Sequence, residues 1–214
     1  MAPMSLPLPE IDVPALRQTE RLVGLRPVFL ADARTGALPR LKTAVRVGLR
    51  RRALCIRFDG RDAGVVATYR DRDDPLWKDD VFEVFLAPLD PPTVYFEFEV
   101  NPLGTLFDAR IHSPEGRRTS MQTETAWDCR GFEAKVSRRD DRWSATLRIP
   151  LDSLAADPLP LQWRANFYRI DRGDADEYSA WSPTLADPPD FHVPGRFGIL
   201  RMGFEKPNSG SPAP

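Results

Sequence analysis

Short runs rich in Val, Phe, Tyr, Ile and Trp, each closed by a cluster of Pro, Gly or Asp, recur through most of the chain. Runs this short and this often interrupted suit strands, and 22 prolines would be hard to fit into a helical protein. The pattern predicts strands over 26–31, 43–49, 53–59, 65–70, 81–87, 94–101, 105–111, 132–138, 142–149, 162–170 and 197–204. FEAKVSRRDDRWSATLRIP reads as a hairpin with a charged tip, and YFEFEVNPLGTLFDARI as another that turns at Asn101 to Gly104. Only 151–156, LDSLAA after Pro150, suggests a short helix, with Asp152 as its cap. The expected fold is all-β, a single-domain antiparallel β-sandwich of the jelly-roll kind. Residues 1–18 are expected to form a Pro-rich arm, 19–204 the sandwich and 205–214 a disordered tail.

Alternation along the strands assigns faces. In 95–101, Phe96, Phe98 and Val100 share the core side, while Tyr95, Glu97, Glu99 and Asn101 share the other. Two carboxylates and an amide side by side fit either a solvated sheet surface or the floor of a polar groove. Trp143 alternates with Ser144 and Thr146 and reads as core, as does Trp163; Trp127 is ambiguous. Trp77 in DPLWKDD and Trp181 in YSAWSPT stand instead among Asp, Pro and Ser, in segments that read as loops. An indole in such a loop is either a lid folded onto the core or a recognition platform.

Charge narrows the partners. Thirty basic residues against 31 acidic give a net charge of −1, so no global field draws in nucleic acid or an anionic membrane, and neither is expected as a partner. Arg46, Arg50, Arg51 and Arg52 surround an apparent hairpin tip and read as a solvated turn. Two cysteines, Cys55 and Cys129, exclude a disulfide framework and a four-thiolate zinc site, leaving one bridge or two free thiols. No apolar run approaches membrane-spanning length, and none follows a basic start. The location expected as written is the cytoplasm, or a secreted or periplasmic one if a leader has been removed.

The succession DDPLWKDDVFEVFLAP, YFEFEVNPLGTLFDARI, RWSATLRIPLDSL, LQWRANFYRID, YSAWSPT and DFHVPGRFGILRM resembles the family 9 carbohydrate-binding modules and their DOMON-like relatives over roughly residues 25–204. The resemblance implies a slot at one end of a sandwich where two tryptophans, here Trp77 and Trp181, clamp a mono- or oligosaccharide. An indole suits the C–H face of a pyranose, and carboxylates and amides suit its rim of hydroxyls. Glu83 occupies the family's acidic position; Glu99, Asn101 and Arg110, with Asn166 and Arg169, are the further polar contacts the resemblance suggests. No cofactor is expected beyond structural calcium, which the family implies and for which DRDDPLWKDD and DRGDADE supply oxygen ligands without a defined loop spacing.

Two alternatives belong to other classes. A glycoside hydrolase would draw an acid and a nucleophile or base from Glu83, Glu97 and Glu99, one of them desolvated. A DOMON-like binder of haem would need axial ligands from His112, His192 and Met202. Nucleophile motifs, phosphate-cradling glycine loops and zinc spacings are absent from the sequence.

Overall fold

A computed structural model describes residues 7–203 other than 63 and 174, so the expected tail at 205–214 lies outside the described residues. The strands are β1 (Glu10–Val13), β2 (Val28–Phe29), β3 (Ala31–Asp32), β4 (Thr43–Arg50), β5 (Ala53–Arg61), β6 (Val81–Ala87) and β7 (Val94–Val100). They continue as β8 (Leu106–His112), β9 (Gln122–Glu124), β10 (Glu133–Arg139), β11 (Arg142–Pro150), β12 (Gln162–Asp171), β13 (Glu177–Ala180) and β14 (Gly198–Met202). The larger sheet runs β1-β14-β12-β6-β7-β8-β9, with β13 and β3 continuing from one end of β12; the smaller runs β10-β11-β5-β4-β2. Every strand pair is antiparallel except β1 with β14.

The sheets close on each other as the alternation dictates. Val45, Val47 and Leu49 of β4, Leu54, Ile56 and Phe58 of β5, and Trp143, Ala145, Leu147 and Ile149 of β11 meet Phe82, Val84 and Leu86 of β6 and Phe96, Phe98 and Val100 of β7. Phe82 is sandwiched between Phe58 and Trp143, at ring centroid distances of 4.7 and 3.8 Å. Full burial of each such side chain contributes roughly 1.5–3 kcal/mol. Trp143 and Trp163 are core residues as expected, and Trp127 packs at the core's margin, 4.8 Å from Phe96.

The central strand β6 is buried on both faces. A second apolar cluster, including Leu76, Phe85, Tyr95, Phe107, Tyr168, Phe191 and Phe197, therefore covers the outer face of the larger sheet. Connecting segments supply part of it, and they turn a sheet face that could have met water into the bed of a groove.

Some expectations yield to tertiary contacts. Residues 10–13, read as part of an arm, form β1, and the run 26–31 breaks into β2 and β3, which join different sheets. Segment 65–70 is not a strand, because Asp80 Oδ2 and Asp79 Oδ2 accept from the Val66 and Thr68 amides, taking the place of a ladder partner. Strands β9 and β13 are too short to carry a pattern. The helix expected at 151–156 is a single 3-10 turn, Leu151–Ser153, and Asp152 does not cap it but accepts from Arg52 Nε at 2.7 Å. Arg51 has a φ of 56° in the β4–β5 turn, consistent with a solvated tip, and Cys55 and Cys129 are free thiols, both buried.

Trp181 marks the largest departure. It follows β13 directly, its amide donates to Phe167 O at 2.9 Å, and its ring enters the intersheet core 5.3 Å from Phe167. Gly198 makes the room, since a Cβ there would stand 2.5 Å from the Trp181 ring and 2.6 Å from Pro9 O. Gly198→Ala is accordingly expected to cost about 1–3 kcal/mol by overpacking, read as a lowered urea midpoint with an unchanged slope.

Candidate functional site

Backbone register builds the floor of the groove. Tyr168 pairs with Glu83, Glu83 with Glu99 and Glu99 with Phe107, one row across β12, β6, β7 and β8. Because Phe82, Val84, Phe96 and Phe98 point into the core, Glu83, Glu97 and Glu99 all point outward. Trp77 rises on one side from the 3-10 turn Leu76–Lys78, 40% exposed and edge-on to Phe107 at 5.3 Å. The other boundary is Tyr178 with the segment from Ala186 to His192, and the concavity between them is about 830 Å³. The groove thus lies over the outer face of the larger sheet, where the resemblance implied a slot at one end of the sandwich.

Local bonds hold the walls. Arg172 Nη2 donates to Trp77 O at 2.7 Å and its Nη1 contacts Tyr178 and Asp176, tying the two sides together. Asn166 Nδ2 donates to Ser182 O and Tyr168 Oη, each at 2.8 Å, and its Oδ1 accepts from the Ser182 and Phe167 amides. Tyr168 Oη in turn donates to Phe191 O at 2.9 Å, which pins the 181–191 segment to the sheet. His192 Nδ1 lies 2.9 Å from Tyr95 Oη.

The floor is electrostatically unusual. One carboxylate oxygen from each of Glu83, Glu97 and Glu99 lies within 4.8 Å of the others, and Glu99 is 0% exposed. Glu83 Oε1 and both Glu99 oxygens meet no hydrogen-bond donor among the described residues outside the cluster, within which Glu99 bonds Glu97. Burial, followed by the Glu97 charge, pushes the Glu83 carboxyl well above the ordinary range, with Arg172 opposing. Burial and then the Glu83 and Glu97 charges do the same to Glu99. A solvated sheet surface is thereby replaced by a desolvated acidic bed.

Two other acidic groups differ in one respect. Asp62 and Asp171 share the guanidinium of Arg169, and Asp108 and Asp128 share that of Arg72. The acid-rich loops expected to offer calcium ligands are similarly engaged: Asp79 accepts from Thr68, Asp80 from the Val66 and Arg172 amides, and Asp176 from Arg172. Each of these loop carboxylates already accepts from an arginine, a hydroxyl or a backbone amide through at least one oxygen.

Of the sequence-derived site residues, Trp77 and Glu83 line the groove and Glu99 lies in the carboxylate cluster beneath it. Trp181 is 7% exposed in the core and faces away from the groove, so no second indole stands opposite Trp77. Asn101 braces its own turn, accepting from the Leu103 and Thr105 amides and donating to Tyr69 O. Arg110 pairs with Glu124 outside the groove. Asn166 is wholly used in the bonds above. Arg169, 1% exposed, points into the sandwich, where it bonds Asp171, Asp62 and Arg61 O. The haem candidates do not converge: Met202 is in the intersheet core, His192 is on the opposite face of the sheet, and His112 Nε2 lies 2.9 Å from Glu124. Phe107, Arg172, Tyr178 and Phe191 were not singled out by sequence; alternation around Asp171 would have flagged Ile170 and Arg172 only with the strand's end known.

Comparison with known proteins agrees with this architecture. The model of a family described as carbohydrate-binding family 9 matches residues 35–202. A curated Arthroderma benhamiae protein named as an extracellular protein is 27% identical over 142 residues, 60% of this chain and 63% of that protein's length. A Bacteroides uniformis protein assigned to carbohydrate binding superposes with a TM-score of 0.72 at 18% identity, covering 90% of this chain and 98% of its own. A family 9 module of Caldicellulosiruptor kristjanssonii, solved with cellotriose, gives a TM-score of 0.64 at 13% identity over 96% of this chain and 100% of that one. Its complex with glucose gives 0.63.

Because Glu83 and Glu99 titrate higher folded than unfolded, where glutamate sits near about 4.3, the stability they support is fully present below that pH. It is lost as pH rises toward their folded values. Asp80 and Asp108, each pushed up to about 6 by burial, contribute in the same direction. Glu99→Gln should therefore gain thermal stability relative to the natural protein as pH rises from 4 to about 7, checked by melting both in parallel; an unchanged difference across that range would contradict the buried-acid assignment.

Proposed function

The chain belongs to carbohydrate-binding family 9, and from that premise we propose that it binds a mono- or oligosaccharide in the groove beside Trp77 without transforming it. The observation that carries this reading is Trp77 itself, an indole left 40% exposed in the wall of a polar-floored groove although it has a neighbouring aromatic, Phe107, to lie against. A pyranose laid along that indole would bury its C–H face, while its hydroxyls would reach carboxylates in the floor. Recognition rests on one indole with the Tyr178 and Phe191 side as the facing wall, in place of a paired-tryptophan clamp.

Binding without catalysis is favoured by where the carboxylates lie. A glycosidase flanks the scissile bond with an acid and a second carboxylate on opposite sides. Here Glu83, Glu97 and Glu99 come from two adjacent strands of a single floor. The relatives that bind cellotriose and glucose support a sugar ligand, and the fungal relative's name as an extracellular protein supports a secreted setting over the cytoplasmic one. Among the described residues no helix is long and apolar enough to cross a membrane.

Titration with glucose and cellotriose, followed by tryptophan fluorescence, tests the reading. Trp77→Ala should weaken binding at least about tenfold, ~1.4 kcal/mol, at unchanged thermal stability. Trp181→Ala should instead destabilise the fold by about 3–5 kcal/mol. Full affinity in Trp77→Ala would remove that indole from the binding site.

A further inference from the structure

Resting on the sugar-binding reading above, we propose that the preferred ligand carries a protonated amine, as a 2-amino sugar does, and that its ammonium docks on Glu83, Glu97 and Glu99. Three acidic clusters exist among the described residues, and two of them enclose a guanidinium, Arg169 or Arg72. The third has no cation within it, and it is the one that opens to the groove through Glu83 and Glu97. Of the other charges around the groove, Asp190 pairs with Arg118 at 2.8 Å, Asp187 with Arg34 at 3.4 Å, and Arg172 with Asp176, while Arg172 acts on Glu83 through space and makes no hydrogen bond to it. Burial holds Glu83 and Glu99 toward their neutral form, and a ligand cation is the partner that would let them ionise.

The donor count agrees. Glu83 Oε1 and both oxygens of Glu99 are buried without a donor from outside the cluster, and an ammonium brings three N–H donors and no acceptor. Three acceptors arranged about 2.8 Å from one nitrogen stand roughly 4.6 Å apart, within the 4.8 Å spread of the cluster. A sugar hydroxyl offers one donor and turns its lone pairs toward the remaining carboxylates. A calcium ion would want about six to eight oxygens, and the carbonyls of β6 and β7 are committed to the ladders on either side. Trp77 in the wall presents an aromatic ring, which favours a cation over a neutral group, while the Tyr178 ring carries the Arg172 guanidinium 5.2 Å from its centroid.

Calorimetry of the whole chain at pH 7 against three trisaccharides decides the matter: cellotriose, the glucosamine trimer and the N-acetylglucosamine trimer, each with calcium and with EDTA. The glucosamine trimer should bind at least about tenfold tighter than the other two, in calcium and EDTA alike. In Glu97→Gln that preference should fall to about twofold or less, and Glu83→Gln serves the same comparison should the first variant melt early. Equal or tighter binding of cellotriose would overturn the amine preference and leave the sugar-binding reading standing. Binding of a neutral trisaccharide that requires calcium and is abolished by EDTA would overturn it in favour of a metal. No heat with any of the three would overturn both readings.

Discussion

The groove depends on one constraint, the register of β12, β6, β7 and β8 that sets Tyr168, Glu83, Glu99 and Phe107 in a row. A shift of β7 by one residue would carry two glutamates into the intersheet core and its phenylalanines out to the opposite face. The register is therefore held from the inside: Phe82 between Phe58 and Trp143, and Phe98 against Phe132, are well satisfied only in the observed alignment. The hydrophobic interior and the polar floor are two readings of the same alternation, and neither can be changed alone.

What makes the floor exceptional is that the outer face is not solvated. Loops at 69–79 and 181–197 fold over it and bring Leu76, Phe191 and Phe197 down beside Phe85, so the carboxylates sit within an apolar ring. Carboxylates at such depth elsewhere in the molecule are compensated: Asp171 has Arg169, and Asp108 has Arg72 and the Cys129 amide. Desolvating an acid without a partner opposes ionisation, and the same missing partner makes the site receptive to a ligand that can supply one. Under the proposed function, stability and recognition would pull on Glu83 and Glu99 in opposite directions.

The sequence disclosed the sandwich and its core because alternation is a local signal. Trp143, Trp163, Phe96 and Phe98 could be placed inside from their nearest neighbours alone. Trp77 stood out as a candidate by its loop and Glu83 through the family resemblance, and both line the groove. The place of Trp181 was not legible, since its burial depends on β13, a four-residue strand, and on Gly198 across the sheet. Asn101, Asn166 and Arg169 are polar contacts that the resemblance suggests, and each is consumed by backbone or ion-pair bonds that only the tertiary structure supplies. Segment 65–70 looked like a strand by composition, yet aspartate side chains satisfy its amides before any neighbouring strand can.

The two loop tryptophans finally separate by what each would leave behind if removed. Trp181 fills a space that Gly198 and Phe167 define, and its loss would open a cavity in the interior, where packing contacts are dense and collapse is incomplete. Trp77 is 40% exposed, with Phe107 edge-on beside it, so its loss would widen the groove and enclose no interior cavity. An aromatic side chain that adds so little to the fold, yet is held in place by the Arg172 bond to its carbonyl and by the turn beneath it, is positioned for a surface that arrives from outside. That distinction favours the wall at Trp77 as the proposed recognition surface and makes Trp181 part of the scaffold beneath it.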